Sequence, residues 1–146
     1  MTAIRKSIHV ARPVDVAFKV FAEEMSGWWP LHDGFAYAGD KAKDIIVEGR
    51  EGGRFYERAT DGEEFDIGTV VVWDPPSRMV ITWSQDDWAA PTEVEVAFAP
   101  DRDGTRVDLE HRGWDRVGAR GAEGQTGWDD GWDFVLSKYA DAMGRA

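Results

Sequence analysis

The 146-residue sequence contains no cysteine and only three leucines, and none of its apolar runs is long enough to cross a membrane. The absence of cysteine excludes disulfide bonds, thiolate metal ligands and a cysteine nucleophile. Basic residues are also scarce, because 17 Lys and Arg face 28 Asp and Glu, for a formal net charge of −11. Since nucleic acids and anionic membrane surfaces both require a basic footprint, we expect neither as a partner.

The first residues, 1–6, lack the apolar stretch of a signal peptide, so the sequence predicts a cytoplasmic protein. A chain of this length is typical of one domain, and folding would bury roughly 70% of the surface that the unfolded chain exposes. We therefore expect a single domain over residues 1–146, with a sizeable core of its own.

Tryptophan is abundant where leucine is scarce. Such bulky side chains, with indole N–H groups that need polar partners, are typical of an interior that lines a cavity. The alternative is ordinary core and boundary packing, since tryptophan is usually buried. The eight tryptophans fall at positions 28, 29, 73, 83, 88, 114, 128 and 132.

The segment 52–84 predicts three consecutive antiparallel strands. Asp61-Gly62 is a strong signal for the first hairpin turn, because glycine accepts the positive φ that such turns require. Pro75 and Pro76 cannot donate hydrogen bonds to a ladder, so the second strand must end there. A meander of this kind buries one face, and the rest of the chain must cover it.

Residues 3–10 and 45–49 also predict strands, and Pro13 predicts the start of an amphipathic helix. The glycine-rich segment 114–125 predicts a mobile connector or a lid. A last helix is predicted to begin near Thr126, where a weak capping box lies. Its apolar stripe follows helical spacing and consists of Trp128, Trp132, Val135, Leu136, Tyr139, Ala140 and Met143.

Two features point to a pocket. The long aromatic connection 26–44 is either an ordered flap over a pocket or an irregular plug of the core. His111 shares its parity with Val107 and Leu109 on a predicted strand, so its imidazole points inward if their side chains do. It is the best candidate for a polar group in a pocket, and a hydrogen-bonded histidine of the core is the alternative.

The sequence carries no motif of an enzyme. It has no nucleophile elbow and no zinc-protease helix, and its three histidines show no ligand spacing. A general acid or base in a cavity remains open as an alternative. The sequence thus predicts no catalytic residue, no metal site and no cofactor, and it favours a binding module over an enzyme.

The order of these elements resembles the helix-grip arrangement, and the local sequences resemble the activator of Hsp90 ATPase homologue (AHSA1-like) family of the START-like, or SRPBCC, superfamily. The similarity spans nearly the whole chain. The stretches that carry it are IHVARPVDVAFKVF from Ile8, Trp28-Trp29, Gly52-Gly53-Arg54-Phe55, Asp61-Gly62, Gly68-Thr69-Val70, Pro75-Pro76-Ser77-Arg78, Thr82-Trp83, His111-Arg112-Gly113-Trp114 and Gly131-Trp132.

The resemblance implies an α+β helix-grip (START/Bet v 1-like) fold, in which a curved antiparallel sheet of about seven strands wraps around a long C-terminal helix, with short helices after strand 1. Members of the superfamily typically hold an apolar ligand between that helix and the concave sheet. We therefore expect a small apolar or aromatic molecule there, in contact with Trp28, Trp29, Phe35, Trp83, His111, Trp128 and Trp132. The alternatives are a protein-interaction module related to Hsp90 co-chaperones and a hydrolase or cyclase that acts in the same cavity.

Overall fold

The computed structural model describes residues 2–85 and 87–145. The strands are β1 (Ile4–Val10), β2 (Ala42–Val47), β3 (Arg54–Ala59), β4 (Glu64–Asp74), β5 (Arg78–Trp83), β6 (Thr92–Asp101) and β7 (Gly104–Arg112). The helices are α1 (Val14–Glu23) and α2 (Gly121–Arg145), with short 3-10 turns at Met25–Gly27, Gly39–Lys41 and Trp114–Arg116. No helix among the described residues has the length and apolar character that a membrane crossing requires.

The seven strands form one antiparallel sheet in the order β1-β7-β6-β5-β4-β3-β2. The sheet curls into a half-barrel, and α2 packs against its concave face, where the Trp132 and Trp83 rings lie 5.7 Å apart. At its other end α2 meets α1, because the hydroxyl of Tyr139 donates a hydrogen bond to the carbonyl of Ala17 at 2.8 Å. The predicted helix-grip fold is confirmed.

The predicted meander is confirmed as β3, β4 and β5. Gly62 sits in the first turn with φ 88°, as the Asp-Gly signal requires. The pairing of β4 with β5 shifts register between Val70 and Val72. This irregularity leaves Val71 42% exposed beside a buried Val70, and it explains why the apolar residues of β4 follow no single parity.

The start of α2 differs from the prediction. The helix already begins at Gly121, so residues 121–125 are helical and not part of a connector. Thr126 lies inside the helix, where its hydroxyl donates to the carbonyl of Ala122 at 3.0 Å, and it is not a cap. Glycine suits the packing of the helix at position 124, because a Cβ on Gly124 would lie 3.1 Å from the ring of Trp114.

Candidate functional site

A cavity of about 320 Å³ lies between the N-terminal half of α2 and the inner face of the sheet at the β2–β5 end. The connection before β2 and the loop between β5 and β6 complete its walls. Five aromatic side chains line it, namely Phe35, Tyr37, Trp83, Trp88 and Trp128. The polar side chains of the lining are Glu57, Gln85, Asp87, Arg120 and Glu123.

Three glycines of α2 make room for this cavity. Gly124, Gly127 and Gly131 are spaced three and four residues apart, so they lie on one face of the helix, and all three line the cavity. A Cβ on Gly131 would come within 3.2 Å of the Phe35 ring, whereas a Cβ on Gly127 would meet nothing within 4 Å. Space at Gly127 is therefore open to a larger side chain.

Phe35, Trp83 and Trp128, three of the predicted site residues, line the cavity. Trp83 is 2% exposed and packs edge-on against Trp128 with the ring centroids 5.1 Å apart. Among the described residues the Nε1 atom of Trp83 is a buried polar atom without a hydrogen-bond partner. A residue of the cavity lining therefore has an indole N–H without an acceptor.

The other four predicted site residues do not line the cavity but lie behind its walls. The indole N–H of Trp28 donates to the Val20 carbonyl at 2.8 Å, so this ring belongs to the core beside α1. The indole N–H of Trp29 donates to the Phe35 carbonyl at 2.9 Å and fixes the backbone of a lining residue. The aromatic connection thus combines a plug of the core with one wall of the cavity.

His111 and Trp132 form a buried hydrogen-bonded chain behind the cavity. The Nε1–H of Trp132 donates to His111 Nδ1 at 3.0 Å, and this requires the imidazole to carry its proton on Nε2. His111 Nε2–H then donates to the Thr92 hydroxyl at 2.7 Å, which in turn donates to the carbonyl of Trp83 at 2.9 Å. The chain therefore links α2 to the strand that bears the central tryptophan of the site.

Burial lowers the pKa of His111 to about 3. Its side chain is fully buried, and a second proton on Nδ1 would face the N–H of Trp132 and not an acceptor. His111 is therefore neutral at physiological pH, with both nitrogens engaged. This arrangement suits a structural role better than proton transfer.

Glu57 is a site residue that the sequence reasoning missed. Its side chain lines the cavity and is only 1% exposed. The backbone N–H groups of Tyr37 and Ala38 donate to its two carboxylate oxygens at 2.8 and 3.1 Å. Burial raises its pKa, and these two hydrogen bonds oppose the effect. Its parity with Phe55 on β3, which places both side chains on the inner face, could have identified it.

The connection that bears Phe35 and Tyr37 is held in place from several sides. The Tyr37 hydroxyl donates to the carbonyl of Ser84 at the end of β5. The Phe35 ring stacks on that of Phe134 with centroids 5.6 Å apart and an interplanar angle of 14°. This wall of the cavity is thus connected to β3, to β5 and to α2.

The rim of the cavity carries one basic and two acidic side chains. Arg120 pairs with Asp87 at 2.9 Å and with Glu123 at 2.9 Å, and all three side chains are exposed. The Arg120 guanidinium lowers the pKa of Glu123. No cluster of three His, Asp or Glu side chains among residues 2–85 and 87–145 is placed to hold a metal ion.

The family model of activator of Hsp90 ATPase homolog 1-like proteins matches residues 12–140. The self-sacrificing resistance protein CalC from Micromonospora echinospora is 30% identical, with a TM-score of 0.71 over 97% of this chain and 94% of that one. The anthrahydroquino-gamma-pyrone synthase Txn09, solved in complex with SUM, is also 30% identical, with a TM-score of 0.63 over 97% and 96%. Protein MLL2253 from Mesorhizobium loti shares the fold at 17% identity and a TM-score of 0.74, over 99% of this chain and 98% of its own. No curated protein sequence matches the chain.

Proposed function

Because the chain belongs to the family of activator of Hsp90 ATPase homolog 1-like proteins and contains this cavity, we propose that it binds a small, largely apolar aromatic molecule between α2 and the sheet. The aromatic lining carries the proposal. Offset and edge-on contacts with aromatic rings contribute about 0.5–1.5 kcal/mol per pair beyond simple burial.

The size of the cavity suits a compact ligand. Sites for small molecules usually measure about 300–1,000 Å³, and the volume of about 320 Å³ lies at the lower end of that range. Phe35, Trp83 and Trp128 would stack against the ligand, and the Nε1–H of Trp83 would orient it by a hydrogen bond. In this proposal four of the predicted residues support the lining without touching the ligand, namely Trp28, Trp29, Trp132 and His111.

The relatives support a ring system as ligand. Txn09 is 30% identical over almost the whole chain, and the name of its product denotes an aromatic skeleton. Since Txn09 is named a synthase, it is also the observation that favours an enzyme acting in the same cavity. The protein-interaction module has no comparable support. Among the described residues Val71 and Phe134 are the exposed large apolar side chains, so we find no apolar patch of the size that a protein interface usually needs. A hydrolase or cyclase in the same cavity would have to use a group other than His111, which meets Thr92 and Trp132 and no carboxylate. The carboxyl group of Glu57 in the cavity lining is the remaining buried candidate for a general acid or base.

A cavity-filling variant tests the proposal. Gly127→Leu places a large side chain where a Cβ meets nothing within 4 Å at the cavity, and Gly144→Leu makes the same change at an equally open helical position outside the cavity lining. Binding of 1-naphthalenemethanol, whose ring is close in size to an indole, is measured by titration calorimetry. We expect the wild type and Gly144→Leu to bind and Gly127→Leu to bind at least about tenfold more weakly, since filling the cavity removes the ligand's contacts.

Absence of binding to the wild type would overturn the proposal for this ligand class. Equal binding by both leucine variants would place the site elsewhere. Native mass spectrometry of the protein purified gently from its own cells then identifies the ligand. A mass adduct that disappears on denaturation is the expected result.

A further inference from the structure

The carboxyl group of Glu57 is buried without a cationic partner. The side chain is 1% exposed, and none of the ion pairs between described residues involves it. Fully buried glutamates are rare unless a basic group accompanies them, because removing a carboxylate from water is costly. The two backbone N–H donors from Tyr37 and Ala38 offset only part of this cost.

The carboxylate can accept more hydrogen bonds than it receives. Each of its oxygens has two lone pairs, and each receives one backbone N–H. One acceptor site therefore remains on each oxygen. Since Glu57 is part of the cavity lining, an occupant with N–H or O–H groups can use these sites.

The aromatic rings of the lining favour the same type of occupant. The faces of tryptophan and phenylalanine rings carry negative charge density and attract a cation within about 6 Å of the ring centre. Trp83, Trp88 and Trp128 lie in this lining together with Phe35. A neutral aromatic ligand would gain from stacking on them, and a cationic one would gain from the ring quadrupoles as well.

The charge balance of the site points in the same direction. Its lining holds the carboxylates of Glu57, Asp87 and Glu123 but only one basic side chain, Arg120, which is already paired with the last two. The whole chain adds a net charge of −11. The potential at the mouth therefore attracts cations and repels anions.

We propose that the ligand of this cavity is an arylalkylamine in its ammonium form, with Glu57 as the counter-charge and the tryptophans as the walls that enclose the ring. The inference rests on the proposed function and deepens it. In this inference Glu57 determines the specificity among ligands of similar shape. Carboxylated, sulfonated and phosphorylated aromatic molecules are disfavoured.

Three probes of nearly equal shape test this selection. 1-Naphthylmethylamine is cationic at neutral pH, 1-naphthalenemethanol is uncharged and 1-naphthoic acid is anionic. Calorimetric affinities are compared for the wild type, Glu57→Gln and Glu51→Gln, the last of which removes one exposed carboxylate away from the cavity lining. We expect the wild type to bind the amine about tenfold more tightly than the alcohol, because a hydrogen bond between two charged groups is about twice as strong as a neutral one, and to bind the acid most weakly.

The two variants distinguish the effect of Glu57 on affinity from the effect of the protein's overall negative charge. Glu57→Gln should bring the affinity ratio of amine to alcohol close to one, and Glu51→Gln should keep the wild-type ratio. A wild-type ratio of one, or an unchanged ratio in Glu57→Gln, overturns the inference. If in that case the alcohol still binds the wild type and does not bind Gly127→Leu, the proposed function remains intact. Failure of all three probes to bind the wild type overturns both.

Because Glu57 also anchors the connection, Glu57→Gln could fail to fold, and a measurement on the wild type keeps the inference testable. The backbone N–H groups of Tyr37 and Ala38 report on the carboxylate that they contact. Their amide resonances should shift more on addition of the amine than on addition of the alcohol at equal saturation. Equal shifts with both probes contradict an ammonium at Glu57.

Discussion

Acidification from about pH 7 to about pH 5 should weaken the fold through His111. The folded protein holds this imidazole neutral, with a pKa lowered to about 3 from the ordinary value of 6.5. Below pH 6.5 the unfolded chain binds a proton at this residue and the native state does not. Stability is therefore lost as pH falls from 6.5 towards 3.

The two pKa values give the size of the effect. The free energy of protonating the unfolded histidine at pH 5 is about 2 kcal/mol, and at pH 7 it is only about 0.2 kcal/mol. The native state contributes almost nothing at either pH, because its pKa lies at about 3. Between the two conditions His111 should remove about 2 kcal/mol of stability, a large share of the 5–15 kcal/mol that is usual for a domain.

Urea unfolding followed by tryptophan fluorescence measures this loss at several pH values. His111→Gln lacks the titrating ring, so subtracting its pH profile from that of the wild type cancels the contributions of the other acidic groups. His32→Gln, at an exposed position, controls for the loss of a histidine in general. We expect the His111→Gln variant to be less stable at pH 7 and less sensitive to acid.

Parallel profiles for the wild type and His111→Gln between pH 7 and pH 5 would refute the reasoning. Nitrogen chemical shifts of the imidazole give an independent check. They should show Nδ1 without a proton and Nε2 with one down to about pH 4, as the hydrogen bonds from Trp132 and to Thr92 require. Titration of the ring near pH 6.5 would contradict the buried network.

Four further predictions concern stability and are checked by chemical unfolding. Gly68→Ala should lower the free energy of unfolding by at least about 1–3 kcal/mol, because its Cβ would collide with the Thr82 carbonyl. Gly127→Ala should raise the free energy of unfolding by about 0.5–1 kcal/mol, because alanine favours the helix and its Cβ meets nothing. Equal effects of the two changes would contradict the contacts assigned to these glycines. Tyr139→Phe should cost about 1 kcal/mol through loss of the hydrogen bond to α1, and no change would show that this bond is dispensable. Arg112→Met removes half-buried ion pairs with three glutamates of the sheet. It should lower the free energy of unfolding by at most about 1 kcal/mol at low salt and by less at high salt. A loss that does not depend on salt would indicate that Arg112 acts through packing.

The fold could be predicted because local patterns agree with it over most of the chain. The turn at Gly62 requires a positive φ, which the Asp-Gly pair indicates. The strands β6 and β7 bury every second side chain, which the alternation of apolar and polar residues indicates. Prediction failed where a tertiary contact overrides the local preference. The irregular register beside Val71 breaks the parity of β4, and the contact of Gly124 with Trp114 makes a glycine-rich segment helical.

The site was only partly predictable for a similar reason. Composition indicates an aromatic cavity, but the choice of which indole faces it depends on packing between distant segments. Trp128 lines the cavity and Trp132, one turn later, points to His111 instead. Glu57 lies between Phe55 and Ala59 on the inner face of β3, and its carboxylate accepts hydrogen bonds from backbone groups of another segment that no sequence pattern identifies.

Glu57 should make stability depend on pH in the direction opposite to that expected for His111. Burial raises the pKa of its carboxyl group above the ordinary 4.5, so the native state binds a proton more readily than the unfolded chain does. The stability that this group contributes is present below pH 4.5 and is lost as pH rises through the raised pKa. Relative to Glu57→Gln, the wild type should therefore lose stability from about pH 4.5 upward.

A cationic ligand would reverse this loss, because an ammonium group beside the carboxylate favours its ionised form. We therefore expect 1-naphthylmethylamine to raise the melting temperature of the wild type more at pH 7 than at pH 4.5, where more of Glu57 is protonated. The same probe should show no such pH dependence with Glu57→Gln. An equal thermal shift of the wild type at both pH values would mean that the buried carboxylate takes no part in binding, and that Glu57 serves only to hold Tyr37 and Ala38 in place.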